Sequence, residues 1–181
     1  MTNNQSYGKT AIALHWVIAL LIVITIPLAW VMMDLEDSPQ GPLLFAWHKS
    51  IGFTIFLLAA ARLIWRLIAG VPAAPANTPA LANKVSGLIH FGLYVLLFAV
   101  PLSGWIMTSA AGHPLVYLGL WQMPDLVAKS HALHETTEEV HEILAYALLG
   151  LIALHTAAAL KHHFIQRDDV LARMLPFLRK R

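Results

Sequence analysis

Between Ala11 and Met33 the chain runs for 23 residues without an Asp, Glu, Lys or Arg. As a helix rising about 1.5 Å per residue, the run is about 34 Å long and crosses a hydrocarbon layer of about 30 Å. It is too long for the apolar core of a signal peptide. It ends in Ala29-Trp30-Val31 rather than in a small-x-small cleavage site. Three further runs repeat the pattern. Leu43–Ala61 is broken only by His48 and Lys49, with Arg62 and Arg66 at its end. Val85–Ala111 has no acidic or basic residue apart from His90. Ile143–Leu160 continues a segment whose beginning, around Thr136–His141, is charged and reaches the water interface. Pro101 in the third run is expected to kink the helix rather than end it.

These runs predict an all-α fold: an integral membrane four-helix bundle with spans over 11–33, 43–66, 85–111 and 137–161, in a single domain over 1–181. Composition points the same way. Only 12% of the 181 residues are charged, half of the roughly 25% that a soluble surface carries. That excludes a soluble domain, and the apolar content excludes a disordered chain. Nucleic acid is excluded as a partner by the paucity of charge, and membrane lipid is the expected surrounding. There is no cysteine, hence no disulfide, no thiolate-ligated or CxxCH-attached haem and no cysteine-ligated iron–sulfur cluster. Histidine, with ten copies, is the abundant ligand type.

The connections are unequal. Gly70 and Val71–Pro79 read as a Pro/Ala loop. Gly112–Glu139 reads as a long connection carrying His113, Tyr117, Trp121, Pro124, His131 and His134, either a functional loop or a partly helical cap on the bilayer. The tail over 167–181 is basic and amphipathic and is expected along the membrane surface. Ten of the twelve basic residues fall in one alternate set of connections: Lys9, Arg62, Arg66, Lys84, Lys161, Arg167, Arg173, Arg179, Lys180 and Arg181. The other set holds only Lys49 and Lys129, with eight of the ten acidic residues. The positive-inside rule puts both termini in the cytoplasm.

An ionisable side chain at membrane depth marks a functional site by default. His141 and His155 are 14 residues apart, which returns the helix to within about 40° of the same face and separates them by about 21 Å. Two cofactors stacked across a bilayer need such a spacing, and neutral imidazole is the usual axial ligand of b-type haem. Levels sort the histidines further. His15 lies six residues from Lys9 and His155 six from Lys161, both about 9 Å deep from the inner edge. His48 is 18 residues from Arg66 and His141 is 20 from Lys161, about 27 and 30 Å from that edge. Level therefore matches His15 with His155 and His48 with His141. His90, six residues after Lys84, has the inner level too, and on depth alone it competes with His15; otherwise it hydrogen-bonds a propionate, a quinone or a carbonyl.

A zinc or di-iron site is the rival use. Such sites need three or four ligands together or repeated Glu-x-x-His. Glu138 and His141 form that motif only once, and no carboxylate lies deep in a span. Gly52, Gly87, Gly92 and Gly104, with Ala157–Ala159, make room for a flat macrocycle or simply for helix packing.

Ala13-Leu14-His15-Trp16, Trp47-His48-Lys49-Ser50-Ile51-Gly52, Val140-His141-Glu142, Leu154-His155 and the tail His162-His163-Phe164-Ile165-Gln166-Arg167-Asp168 together resemble the prokaryotic cytochrome b561 family over nearly the whole chain. The resemblance implies a bacterial inner-membrane protein with two b-type haems, ligated by His15 with His155 and by His48 with His141; it assigns the inner position to His15 rather than His90. It implies electron transfer from a periplasmic donor to the ubiquinone pool, superoxide being the suggested donor, as in a superoxide oxidase. Related cytochrome b subunits instead serve as haem-bearing membrane anchors for a partner dehydrogenase or hydrogenase. The acidic outer connections favour a neutral or cationic small-molecule donor or a protein over an anion; Lys49, Lys129 and any protonated His113, His131 or His134 are the outer cations. For the quinone, His162 and Arg167 are the candidate residues. His162 follows His155 by seven residues, about 20° off the same face and one to two turns nearer water. The region of Trp47, Trp121 and the long connection is the other choice.

Overall fold

The computed structural model describes residues 7–73 and 79–178. Residues 74–78 of the Pro/Ala loop, and Arg179, Lys180 and Arg181 of the tail, lie outside the described residues. Four long helices carry the fold: α1 Lys9–Asp34, α2 Gly41–Ala69, α3 Ala80–Ala111 and α4 His131–Lys161. Each is long and apolar enough to cross a membrane. Helices suit that setting because every backbone N–H is bonded within its own segment, where no water is available to replace a lost bond. Pro27 and Pro101 sit inside α1 and α3, and both helices continue through them.

The bundle is held together thinly. Ile18, Ile55, Ala59 and Leu97 form the buried centre, with Leu21, Ile22, Ile51, Leu58 and Phe98 packed on it. Most large apolar side chains face outward; Leu20, Val23, Leu88 and Phe91 are each more than half exposed. In water such a surface would aggregate, whereas lipid tails solvate it. α3 packs most extensively on α4 and α1 on α2, while α2 and α3 meet along a shorter line.

The ends of the bundle differ. At one end, α1 turns into α2 through Leu35–Gln40, and Gly112–Ser130 forms a cap. We call it the outer end, as expected from the placement of the basic residues. A short hairpin, β1 Val116–Tyr117 against β2 Trp121–Gln122, lies in the cap. The cap is pinned to the helices. Ser50 Oγ accepts from Leu118 N–H at 3.1 Å, Thr54 Oγ1 and Tyr117 OH are bonded at 3.1 Å, and Trp105 Nε1 donates to Pro124 O at 3.1 Å. Gly112 ends α3 at φ 76°, a left-handed residue where a Cβ would be strained.

The cap is shorter than the connection expected over Gly112–Glu139. α4 begins at His131, and Ser130 caps it by accepting from Leu133 N–H at 3.4 Å. His131 and His134 are therefore helical, not in a loop. Charge ends a hydropathy run without ending a helix, so the first turns of α4 stand out of the apolar layer.

At the inner end, α4 passes through a π-helical turn, His162–Gln166, and stops at Arg167 with φ 55°. The tail then forms short 3₁₀ turns, Leu171–Arg173 and Pro176–Leu178. It is tied back to the bundle. Trp16 Nε1 donates to Met174 O at 2.9 Å, and Arg173 Nη1 donates to Ala73 O at 2.7 Å.

The α1–α2 turn depends on a missing side chain. A Cβ at Gly41 would run into the Glu36 carbonyl and come within 2.7 Å of Leu35 O. Both are backbone atoms and cannot swing aside. Gly41→Ala is expected to destabilise the protein by about 1–3 kcal/mol, seen as a lower thermal midpoint in detergent. An unchanged midpoint would show that the turn relaxes freely.

Candidate functional site

The bundle brings four histidines together in two pairs, from three helices. His15 on α1 faces His155 on α4, with ring centroids 6.2 Å apart and planes at 71°. His48 on α2 faces His141, also on α4, at 6.4 Å and 80°. With a metal–nitrogen bond of about 2 Å on either side, and about 1 Å from each nitrogen to its ring centre, two imidazoles on one metal have centroids about 6 Å apart. Both pairs have that separation.

The rings are also prepared electronically. Val100 O accepts from His141 Nδ1 at 3.0 Å, and Ser103 Oγ lies at 3.0 Å from the same nitrogen. A protonated Nδ1 leaves the lone pair on Nε2, the nitrogen a metal would take, and raises its basicity. His48 Nδ1 is buried with no hydrogen-bond partner among the described residues. A polar atom orphaned at this depth is costly unless something outside the chain satisfies the ring. Gly104 sets the position of His141: a Cβ there would stand 3.0 Å from His141 Cε1. Any side chain at position 104 pushes on a ring that two polar contacts hold in place.

Pairs, rather than clusters, decide the kind of metal. Among the described residues no group of three or more His, Asp or Glu side chains has metal-binding geometry. Two imidazoles suit an iron whose other four ligands come from a macrocycle lying between the rings, and they do not complete a zinc or di-iron site.

The remaining histidines fall elsewhere. His90 packs edge-on against His155 with centroids 5.2 Å apart, and its Nδ1 is bonded to Ser86 O at 2.7 Å. That separation is about 1 Å shorter than a shared metal requires, by the bond lengths above. His90 is thus a neighbour of the inner pair, lining a cavity of about 370 Å³ with Arg66, Tyr94 and Phe98. His162 Nδ1 is bonded to Asp168 Oδ2 at 2.5 Å. Arg167 follows at the left-handed end of the π turn. His113 is in the cap, where its carbonyl accepts from Thr108 Oγ1 at 2.6 Å. His131 pairs with Glu135 at 3.4 Å on the exposed start of α4. Sequence reasoning missed the polar support of His141, since Val100 and Ser103 carry no signal until α3 is seen to pack on α4.

Four membrane-crossing helices with paired imidazoles between them define a membrane cytochrome of the b type. The comparisons agree. The family model described as prokaryotic cytochrome b561 matches residues 6–177. The chain is 31% identical over 175 residues to cytochrome b561 homolog 2 of Escherichia coli (strain K12), covering 94% of this chain and 92% of that one. It is 32% identical over 175 residues to cytochrome b561 homolog 1 of the same organism, covering 94% and 97%. It is 30% identical over 179 residues to the probable superoxide oxidase CybB of Yersinia pestis, covering 96% and 97%. This chain belongs to the prokaryotic cytochrome b561 family. It is accordingly a haem b protein of electron transport and a multi-pass protein of the bacterial inner membrane.

Gly104→Ala is expected to lower the haem recovered per chain, at a cost of about 1–3 kcal/mol in packing at His141. Gly87→Ala, where a Cβ meets nothing within 4 Å, should leave it unchanged. Equal haem content in both variants, by pyridine haemochrome assay, would show that Gly104 does not position His141.

Proposed function

We propose that this chain holds two haem b groups, one between His15 and His155 and one between His48 and His141. In this reading it carries electrons from a donor at the outer end to ubiquinone at the inner end, with both termini in the cytoplasm. The observation that carries it is the pair of ring separations, 6.2 and 6.4 Å, at two levels of one bundle. Haem b supplies one-electron chemistry at its iron. The chain's own part is placement. α4 supplies a ligand to each level, so one rigid helix sets the distance between the levels. His141 is oriented by Val100 and Ser103, and a haem held by two imidazoles would serve electron transfer rather than dioxygen binding.

Superoxide is the proposed donor, after the Yersinia relative's printed name. Two superoxide ions give up two electrons and leave as two dioxygen molecules; ubiquinone takes those electrons with two protons to become the quinol. Near the outer pair the cations are few. Lys49 Nζ donates to Pro114 O at 3.3 Å, which holds it under the cap beside His48. Lys129 packs over Gly112. The acidic residues of this end, Asp34, Glu36, Asp37, Asp125 and Glu135 through the start of α4, favour a second reading. There the donor is a partner dehydrogenase or hydrogenase with a basic docking face, and this chain is its haem-bearing anchor. For ubiquinone, His162 and Arg167 are the proposed residues at the inner end. Asp168 engages His162 Nδ1, and Nε2 remains to meet a quinone carbonyl.

The test is quinol formation in proteoliposomes containing the purified protein and ubiquinone, with superoxide generated outside. The wild type should form quinol with two haems per chain. His48→Ala and His15→Ala should each retain one haem and lose activity at least about 100-fold, on the scale of removing a required group. His90→Ala should keep both haems. Absence of superoxide-driven activity in a two-haem protein favours the anchor reading. Loss of a haem in His90→Ala, with retention in His15→Ala, overturns the ligand assignment.

A further inference from the structure

Among the described residues, two arginines on the inner third of α2 have no acidic partner. Arg62 and Arg66 are one turn apart on one face. Among the described residues the ion pairs are His131 with Glu135 and His162 with Asp168, neither involving an arginine. Both side chains are half-buried. A cation at this depth normally finds a counter-charge, because leaving it unpaired away from water is costly.

Their surroundings show what is missing. Both line a cavity of about 290 Å³ at the inner end of α1, α2 and α3, walled by Tyr7, Trp65 and Tyr94, with no Asp or Glu in the lining. Arg66 lies over the Tyr94 ring, its guanidinium carbon 5.8 Å from the centroid. Arg62 Nη1 donates to Ala11 O at 2.7 Å. A guanidinium has five N–H donors, so that bond leaves most of the fork unused.

Ala11 is one turn before His15 on α1. The Arg62–Ala11 bond therefore fixes Arg62 about one turn, some 6 Å, from the His15 level toward the membrane surface. Arg66 stands one turn further out. Arg66 and His90, the neighbour of His155, line a common cavity. The two cations thus stand beside the inner imidazole pair, on its surface side.

We propose that Arg62 and Arg66 form the carboxylate-binding site of the inner haem, holding its two propionates by forked hydrogen bonds. The inference rests on His15 and His155 being the ligands of one haem. The chemistry is that of an oxygen anion: two guanidiniums match two carboxylates in number, charge and planar geometry. A phospholipid headgroup presents the same kind of oxygen from a different source, and the test separates the two. The site also gives the cations a function beyond neutralising the group. A positive charge beside the inner iron favours its reduced state, and so favours the inner level as the electron's destination.

The experiment uses the full chain, purified with its haems, and Arg62→Gln and Arg66→Gln singly and together. Spectroelectrochemical titration resolves the two haem components, a haemochrome assay gives haem per chain, and native mass spectrometry reads bound phospholipid. A wild type without two haems fails the underlying reading and not this inference. Given two haems, the double variant should show one component shifted to lower midpoint potential, or lost so that the ratio falls from about two toward one, on the charge loss described. The other component should stay where it was. Arg62→Lys with Arg66→Lys, which keeps charge but not the fork, should lie between. Both components at wild-type potential with two haems retained would overturn the proposal; loss of anionic phospholipid in that same variant would assign the cavity to a lipid phosphate. If the glutamine and lysine pairs both lose both haems, the arginines serve the fold and the proposal is wrong.

Discussion

Everything in this fold follows from holding imidazoles inside hydrocarbon. A buried polar ring must be satisfied, and lipid offers nothing to satisfy it. Four such rings are spread over α1, α2 and α4, and His141 finds its hydrogen-bond partners on α3. The helices must come together until the rings face each other in twos. The apolar centre that does this is small, built on Ile18, Ile55, Ala59 and Leu97. Without a hydrophobic effect between helices, close packing of small residues and a few polar bonds must do the rest. A group bound between the rings adds to that adhesion, because whatever binds only the folded state stabilises it by mass action.

The two ends of the bundle solve different problems. The outer pair lies at the end carrying a cap stitched down by Ser50, Thr54, Trp105 and Ser109. His141 there has a full set of supports: Gly104 to admit it, Val100 and Ser103 to orient it. The inner pair has a looser setting, with His90 alongside, two arginines toward the surface and a tail folded back onto Trp16. The difference is consistent with the proposal of a donor at the outer level and a lipid-soluble acceptor at the inner one.

Much of this was legible in the residues. A charge-free run is a direct statement about hydrocarbon, so the four helices appear where the runs do. Counting residues from the basic belt picks the same histidine pairs that the fold brings to 6.2 and 6.4 Å, because helices of constant rise convert sequence distance into depth. Depth could not separate His90 from His15, and the family resemblance assigned the position to His15; in the fold α3 turns His90 against His155 and its Nδ1 back to Ser86. Other features were hidden for physical reasons. The start of α4 at His131 rests on Ser130 and on helix propensity, which hydropathy ignores. The hairpin in the cap is two residues a side, too short for any periodicity. The tail's turns depend on bonds to Trp16 and Ala73, contacts 158 and 100 residues away in sequence.

The central claim is that two irons each lie between two nearly perpendicular imidazoles. Electron paramagnetic resonance of the oxidised protein at cryogenic temperature tests it most directly. Ring planes at 71° and 80° predict two low-spin ferric signals, both of the strongly anisotropic type that crossed imidazole planes produce, together integrating to two spins per chain. A high-spin ferric signal in the intact protein, or a single low-spin signal integrating to one spin per chain, would contradict the account.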